Sequence, residues 1–156
     1  MDIEKLDSLI GNLITNNPKK EILSKIKELL ENPPLKINDL VNNNLPKKSG
    51  VYLIYKKEFK KEEFIYAGET DDLRRRLKGD ISRGKKKYHT FLNKIGKNKS
   101  KEEIKEILNK DYLFSYIETD SKEIAFIIEG ILIRIYHPQY NKLKKYQRVN
   151  GRLDKR

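Results

Sequence analysis

Ile124-Ala125-Phe126-Ile127-Ile128-Glu129-Gly130-Ile131-Leu132-Ile133 is the stretch on which the fold of this chain turns. One carboxylate, Glu129, stands inside an otherwise apolar run. Burying an unpaired carboxylate costs several kcal/mol or forces it to stay protonated. Glu129 therefore needs a partner, either an arginine or a metal ion. The run itself reads in two ways. A hairpin would turn at Glu129-Gly130. Against that, Ile124, Ile127, Ile128, Ile131, Leu132 and Ile135 keep helical spacing, Asp120 with Glu123 resembles a capping box, and His137-Pro138 supplies a stop. Spacing and capping together favour a helix.

Upstream the texture changes at Gly50. Val51-Tyr52-Leu53-Ile54-Tyr55 and Phe64-Ile65-Tyr66-Ala67 are short, β-branched and aromatic, with a charged loop between them, and read as a hairpin. Thr70-Asp71-Asp72 opens a helix with N-cap types and acids in its first turn. Tyr88, Phe91, Leu92 and Ile95 suggest another short helix in a Lys-rich stretch. Ser100 with Glu103 marks the start of a helix over 101–109. Tyr112 to Thr119 reads as a third strand.

The first 45 residues read as helical and separate. Asn17-Pro18 opens a helix carrying Ile22, Leu23, Ile26, Leu29 and Leu30, which Asn32-Pro33-Pro34 ends. A weaker helix covers 3–15, and Asn42 to Ser49 has linker composition. The expected organisation is a helical segment over 1–45, a domain over 46–143 and a basic tail over 144–156. The N-terminal helices have three open roles: dimerisation, DNA binding, or capping of the sheet.

The chain has 156 residues and no cysteine, so disulfides and thiolate metal sites are excluded. Its two histidines, His89 and His137, lack zinc-ligand spacing. No apolar run approaches the ~20 residues of a membrane span, and no secretory signal opens the chain. The expectation is a cytoplasmic protein with no membrane association. Net charge is +12. Residues 1–48 hold 8 basic and 7 acidic side chains and the remainder hold 27 and 16, so the excess sits in the second region. Such an excess suits a polyanion, most simply nucleic acid, although a solvated lysine-rich surface has the same composition.

Gly50-Val51-Tyr52, Tyr66-Ala67-Gly68, Leu73-Arg74-Arg75-Arg76-Leu77, Glu129 and Pro138-Gln139-Tyr140-Asn141 follow one another in an order that resembles the GIY-YIG nuclease superfamily. Leu45 to Gly50 also resembles the entry to the UvrC N-terminal domain, and phage homing endonucleases offer a second likeness. Ten positions separate Tyr66 from Arg76, and twelve separate Glu129 from Asn141. The resemblance implies an α+β fold: a small three-stranded, mainly antiparallel sheet flanked by helices, behind a short helical N-terminal segment. It implies metal-dependent hydrolysis of DNA phosphodiesters, with Mg²⁺ or Mn²⁺ as cofactor and RNA left open as the polymer. Its setting would be repair, recombination, restriction or a mobile element, with a homodimer or a partner protein supplying specificity. A non-catalytic nucleic-acid-binding module on the same fold is the alternative.

Under that resemblance Glu129 is the single protein ligand of the metal and Arg76 grips the phosphate, a task its planar fork suits. Tyr52 is the candidate base, with Tyr66 supporting it and Asn141 bracing the site. Gly50 and Gly68 serve tight backbone geometry. Arg74 and Arg75 point more toward solvent and offer phosphate contacts, joined by Lys144, Lys145 and Arg148 of the tail. Two departures stand out. Asp80 occupies a position where many relatives carry His or Tyr, and Glu69 stands where excision-nuclease relatives often carry lysine. His89, thirteen residues past Arg76, matches a histidine of the phage members and is a candidate replacement.

Overall fold

The computed structural model describes residues 18–58, 63–87 and 89–141, together with Glu4 and Ser8. Most of the expected helix over 3–15, as well as Tyr88 and the tail residues Lys144, Lys145 and Arg148, lies outside the described residues. The described elements run α1 (Pro18–Glu31), α2 (Ile37–Asn42), β1 (Gly50–Lys56), β2 (Phe64–Thr70), α3 (Arg75–Ile81), α4 (Thr90–Ile95), α5 (Lys101–Asp111), β3 (Tyr112–Glu118) and α6 (Lys122–Tyr136). The fold is α+β, a three-stranded antiparallel sheet of order β2-β1-β3 with six helices among the described residues.

β1 is central and buried on both faces, so its sequence runs apolar without alternation. Val51, Leu53 and Tyr55 face one core, shared with α1 and α6, while Tyr52 and Ile54 face the other, shared with α3, α4 and α5. The hairpin register sets Tyr52 opposite Gly68 and Ile54 opposite Tyr66, with an irregularity between Ile54 and Tyr55 that accommodates Ile65. Residues 18–45 cap this sheet. Ile22, Ile26 and Leu29 of α1 are fully buried in the α6-side core, and Ile37 and Leu40 of α2 are buried in the other. Leu35 exchanges backbone hydrogen bonds of 2.8 and 2.7 Å with Phe114, extending the outer edge of β3. The segment read as separate thus packs into both cores of the sheet.

Local capping explains most helix boundaries. Ser100 and Glu103 form the expected capping box of α5, which runs two residues beyond the expected end. In α6 the N-cap is Ser121 rather than Asp120: its hydroxyl accepts from the Ile124 N–H at 3.2 Å. The Ile-rich run is a helix, and His137 ends it in the left-handed conformation (φ 48°) just before Pro138. The arginine helix opens on Asp72, whose carboxylate accepts from the Arg75 N–H at 2.9 Å, and then widens into π geometry over Arg75–Ile81. π turns are rare and concentrate at functional sites. Free N–H groups at its start donate to the lead-in backbone, Leu73 to Lys48 O at 2.9 Å and Arg74 to Pro46 O at 3.2 Å. The lead-in therefore anchors the start of the helix that carries Arg76.

Candidate active site

Tyr52 lies mid-strand on β1 with its ring over the Gly68 backbone. A Cβ at Gly68 would overlap that ring, and one at Gly50 would collide with the Ile117 carbonyl and Leu73. Both glycines are thus required by close approach, as read from their motifs. Tyr66, two residues before Gly68 on the edge strand β2, is half-buried, and its ring lies 6.1 Å from that of Tyr52. The two phenols act on each other electrostatically.

His89 completes this group. Although it lies in a lysine-rich stretch, it is only 2% exposed. It is the N-cap of α4, and its Nδ1 accepts from the Leu92 N–H at 3.3 Å. Its Nε2 sits 2.6 Å from the Tyr52 hydroxyl. Tyr66 and Phe91 flank the ring, with centroids at 5.3 and 6.4 Å. Burial, and then the nearby positive charge of Arg76, push its pKa down to about 3, so the ring is neutral at physiological pH.

Burial lifts both phenols. Tyr52 rises well above its ordinary value, through burial first and then the neighbouring Tyr66. Tyr66 is pushed up to about 12 by burial and then by the Glu129 charge, against which the neighbouring Tyr52 hydroxyl and the Arg76 charge pull down. Arg76 and Glu129 therefore act electrostatically on both tyrosines. Glu129 is 3% exposed on the buried face of α6. The Arg76 side chain is 20% exposed and its guanidinium lies 3.7 Å from Asp80, while its Nε is buried with no hydrogen-bond partner. A buried N–H without a partner carries a real cost, and a phosphate oxygen would satisfy it.

Asn141 is fixed by the turn after α6. Its Nδ2 donates to the Ala67 carbonyl at 2.8 Å and its Oδ1 accepts from the Ala67 N–H at 2.9 Å. Beside it the Tyr140 N–H donates to Ile65 O at 2.9 Å. The amide thus pairs with the free edge of β2 as a strand residue would, next to Tyr66.

Tyr52, Tyr66, Arg76, His89, Glu129 and Asn141, all singled out from sequence, gather around this end of the sheet. Arg74 does not present itself as a surface phosphate contact. Its Nε donates to Leu45 O at 2.7 Å and its guanidinium to Asn44 Oδ1 at 3.3 Å, bracing the lead-in. Arg75 is exposed and ion-paired with Asp71. Two acidic residues read only as departures have definite places. Asp80 faces Arg76 one turn on, a pairing that i,i+4 spacing signals. Glu69 acts on Tyr66, and its Oε2 is buried without a hydrogen-bond partner.

The donor set suits a hard divalent cation that keeps most of its water. It offers one buried carboxylate, with phenolic oxygens nearby, and no group of three His, Cys, Asp or Glu side chains among the described residues. Mg²⁺ accepts one carboxylate plus waters and phosphate oxygens, whereas zinc needs at least three protein ligands.

No family model matches the chain. It is 35% identical over 113 residues to UvrABC system protein C of Petrotoga mobilis, covering 72% of this chain and 17% of that protein. To the protein of the same name from Mycoplasma mycoides subsp. mycoides it is 30% identical over 99 residues, covering 64% of this chain and 14% of that one. The chain thus spans less than a fifth of the length of these relatives. Among solved structures, the GIY-YIG N-terminal endonuclease domain of UvrC from Thermotoga maritima, bound to magnesium as its catalytic divalent cation, aligns with a TM-score of 0.45 and 24% identity. That alignment covers 69% of this chain and 97% of that one.

Proposed function

We propose that this chain, whose sequence is related to part of UvrABC system protein C, carries a GIY-YIG domain and is an endonuclease that hydrolyses DNA phosphodiesters with Mg²⁺ or Mn²⁺. The observation that carries this reading is a buried His89–Tyr52 hydrogen bond, with Tyr66 packed against both rings, beside an arginine with an unpartnered Nε and a carboxylate on α6. A binding surface needs no such arrangement, because phosphate contacts work from exposed cations.

Each side chain has a task in hydrolysis. Arg76 binds a phosphate oxygen through Nε and its terminal nitrogens, with Asp80 fixing the fork from one side. Tyr66 is the more exposed phenol, so it is the one that reaches the attacking water, and it takes that water's proton as the phenolate, its own proton having first left to solvent with the Arg76 charge favouring the anion. Tyr52, first assigned as base from the sequence, becomes the support. Asn141 holds the β2 edge that carries Tyr66. Glu129 would hold the divalent cation, which supplies positive charge for the phosphate and the leaving oxygen.

Nicking of supercoiled plasmid and branched DNA, with Mg²⁺, Mn²⁺ or EDTA, tests the proposal with wild type beside Glu129→Ala. Metal-dependent cutting that the variant loses is expected. Salt-sensitive binding by both proteins without cutting on any substrate would overturn it.

A further inference from the structure

We propose that His89 is a positioning residue, a fixed hydrogen-bond donor that orients Tyr52 and through it Tyr66, and that it exchanges no proton during cleavage. The proposal rests on the nuclease reading and assigns the task of one ring within it.

The ring is held at both nitrogens. Leu92 N–H donates to Nδ1 at 3.3 Å, so the Nδ1 lone pair is in use. A neutral imidazole has one N–H and one free lone pair. With the lone pair committed at Nδ1, the proton lies on Nε2, aimed at the Tyr52 oxygen at 2.6 Å. Tyr52 therefore accepts from His89, which leaves its own O–H to turn toward Tyr66, whose ring lies 6.1 Å away. The row has one direction, from His89 to Tyr52 to Tyr66.

That direction decides the role. A general base at Nε2 would need its lone pair facing Tyr52, and a general acid would need an imidazolium. Both require a proton on Nδ1, where the Leu92 N–H already points. The ring is also 2% exposed, and the Arg76 charge opposes a second proton. What the ring supplies is a donated hydrogen bond that strengthens as negative charge develops on the phenol pair.

Two substitutions separate this role from helix capping. Asparagine keeps a cap acceptor for the Leu92 N–H but has no donor at the Nε2 position. Glutamine carries an N–H donor there and loses the cap. His89→Asn should cut about 10- to 100-fold more slowly, the fold-change for losing a hydrogen bond to a charged group, while its kept cap leaves it melting above His89→Gln. His89→Gln should cut faster than His89→Asn although it melts lower. Cutting by His89→Asn equal to or above that of His89→Gln would overturn the proposal. Nitrogen-15 NMR of the ring in metal-free wild type gives a readout independent of cutting. A single proton on Nε2 is expected between about pH 5 and 8. A proton on Nδ1 or a titration midpoint in that window would refute the proposal even if the variants fail to fold. A wild type that cuts nothing while its ring keeps the Nε2 proton would sink the nuclease reading alone.

Discussion

Replacing Asn141 by alanine probes how the site is attached to the sheet, because the expected loss follows from two distances. The amide makes hydrogen bonds of 2.8 and 2.9 Å to the Ala67 backbone, both partly buried. Each is worth about 0.5–1.5 kcal/mol net, so removing the pair costs roughly 2 kcal/mol. The neighbouring Tyr140–Ile65 bond, at 2.9 Å, stays and prevents full release of the segment. At about 2–4 °C per kcal/mol for a chain of this size, the melting temperature should fall by roughly 4–8 °C. Asn141→Asp should melt no higher than the alanine variant. Its carboxylate still accepts from Ala67 N–H but faces the Ala67 carbonyl without a donor. Thermal unfolding followed by circular dichroism reads the stability, and plasmid nicking reads the site. The latch argument fails if Asn141→Ala melts with wild type, or if Asn141→Asp is the more stable of the two. Unchanged nicking with a lowered melting temperature would make Asn141 a structural brace with no hold on Tyr66.

Gly68→Ala places a methyl group where the Tyr52 ring lies, and His89 holds that ring from its far end. Overpacking of this kind costs about 1–3 kcal/mol, so the variant should fold with altered near-ultraviolet circular dichroism and lose cutting; wild-type values of both would refute the close approach. Glu69→Gln removes a negative charge that raises Tyr66, so tyrosinate absorbance should place the Tyr66 midpoint below its value of about 12. The change should be modest because burial is the largest cause, and an upward shift would contradict the placement of Glu69. His89 gives the chain a pH dependence of known sign. Its unfolded pKa is about 6.5 and its folded value about 3, so the unfolded state binds more protons between them. The stability this ring contributes is complete above about pH 6.5 and falls as the pH drops toward 3, with a slope on the order of 1.4 kcal/mol per unit. Urea unfolding near neutral and at about pH 4.5 should show a larger acid loss in wild type than in His89→Gln, and equal losses would refute it.

Where a local rule decided an element, the chain was readable. Ser100 and Glu103 fix the start of α5 because a capping box involves only residues three apart. The Ile-rich run became α6 because its apolar residues keep a helical period that a hairpin could not bury on one face. Tyr52, Tyr66, Arg76, Glu129 and Asn141 were singled out through a resemblance whose spacing is itself local, and the fold gathers them at one end of the sheet. Local rules also misplaced a cap: Asp120 and Ser121 are both good N-cap types, and only the chain path out of β3 selects the serine.

What stayed hidden depends on residues far apart in sequence. Nothing in the lysine-rich setting of His89 shows that its ring reaches Tyr52, 37 positions away, because that contact exists only once α4 packs on the sheet. Arg74 and Arg76 are chemically identical and two residues apart, yet one braces the Leu45 carbonyl while the other keeps a buried Nε without a partner. The π widening over Arg75–Ile81 changes the angular step between neighbouring side chains, so faces counted at ordinary helical spacing drift through this segment. The N-terminal helices looked separable because a run such as Asn42 to Ser49 has linker composition. In the fold the Pro46 and Lys48 carbonyls accept from the first N–H groups of the arginine helix, so that run is bonded to the element that carries Arg76 rather than free of it. A deletion of residues 1–45 would therefore remove Leu45, the acceptor that anchors Arg74, along with two helices that bury Ile22, Ile26, Leu29, Ile37 and Leu40. The catalytic reading is consequently one to test on the whole chain.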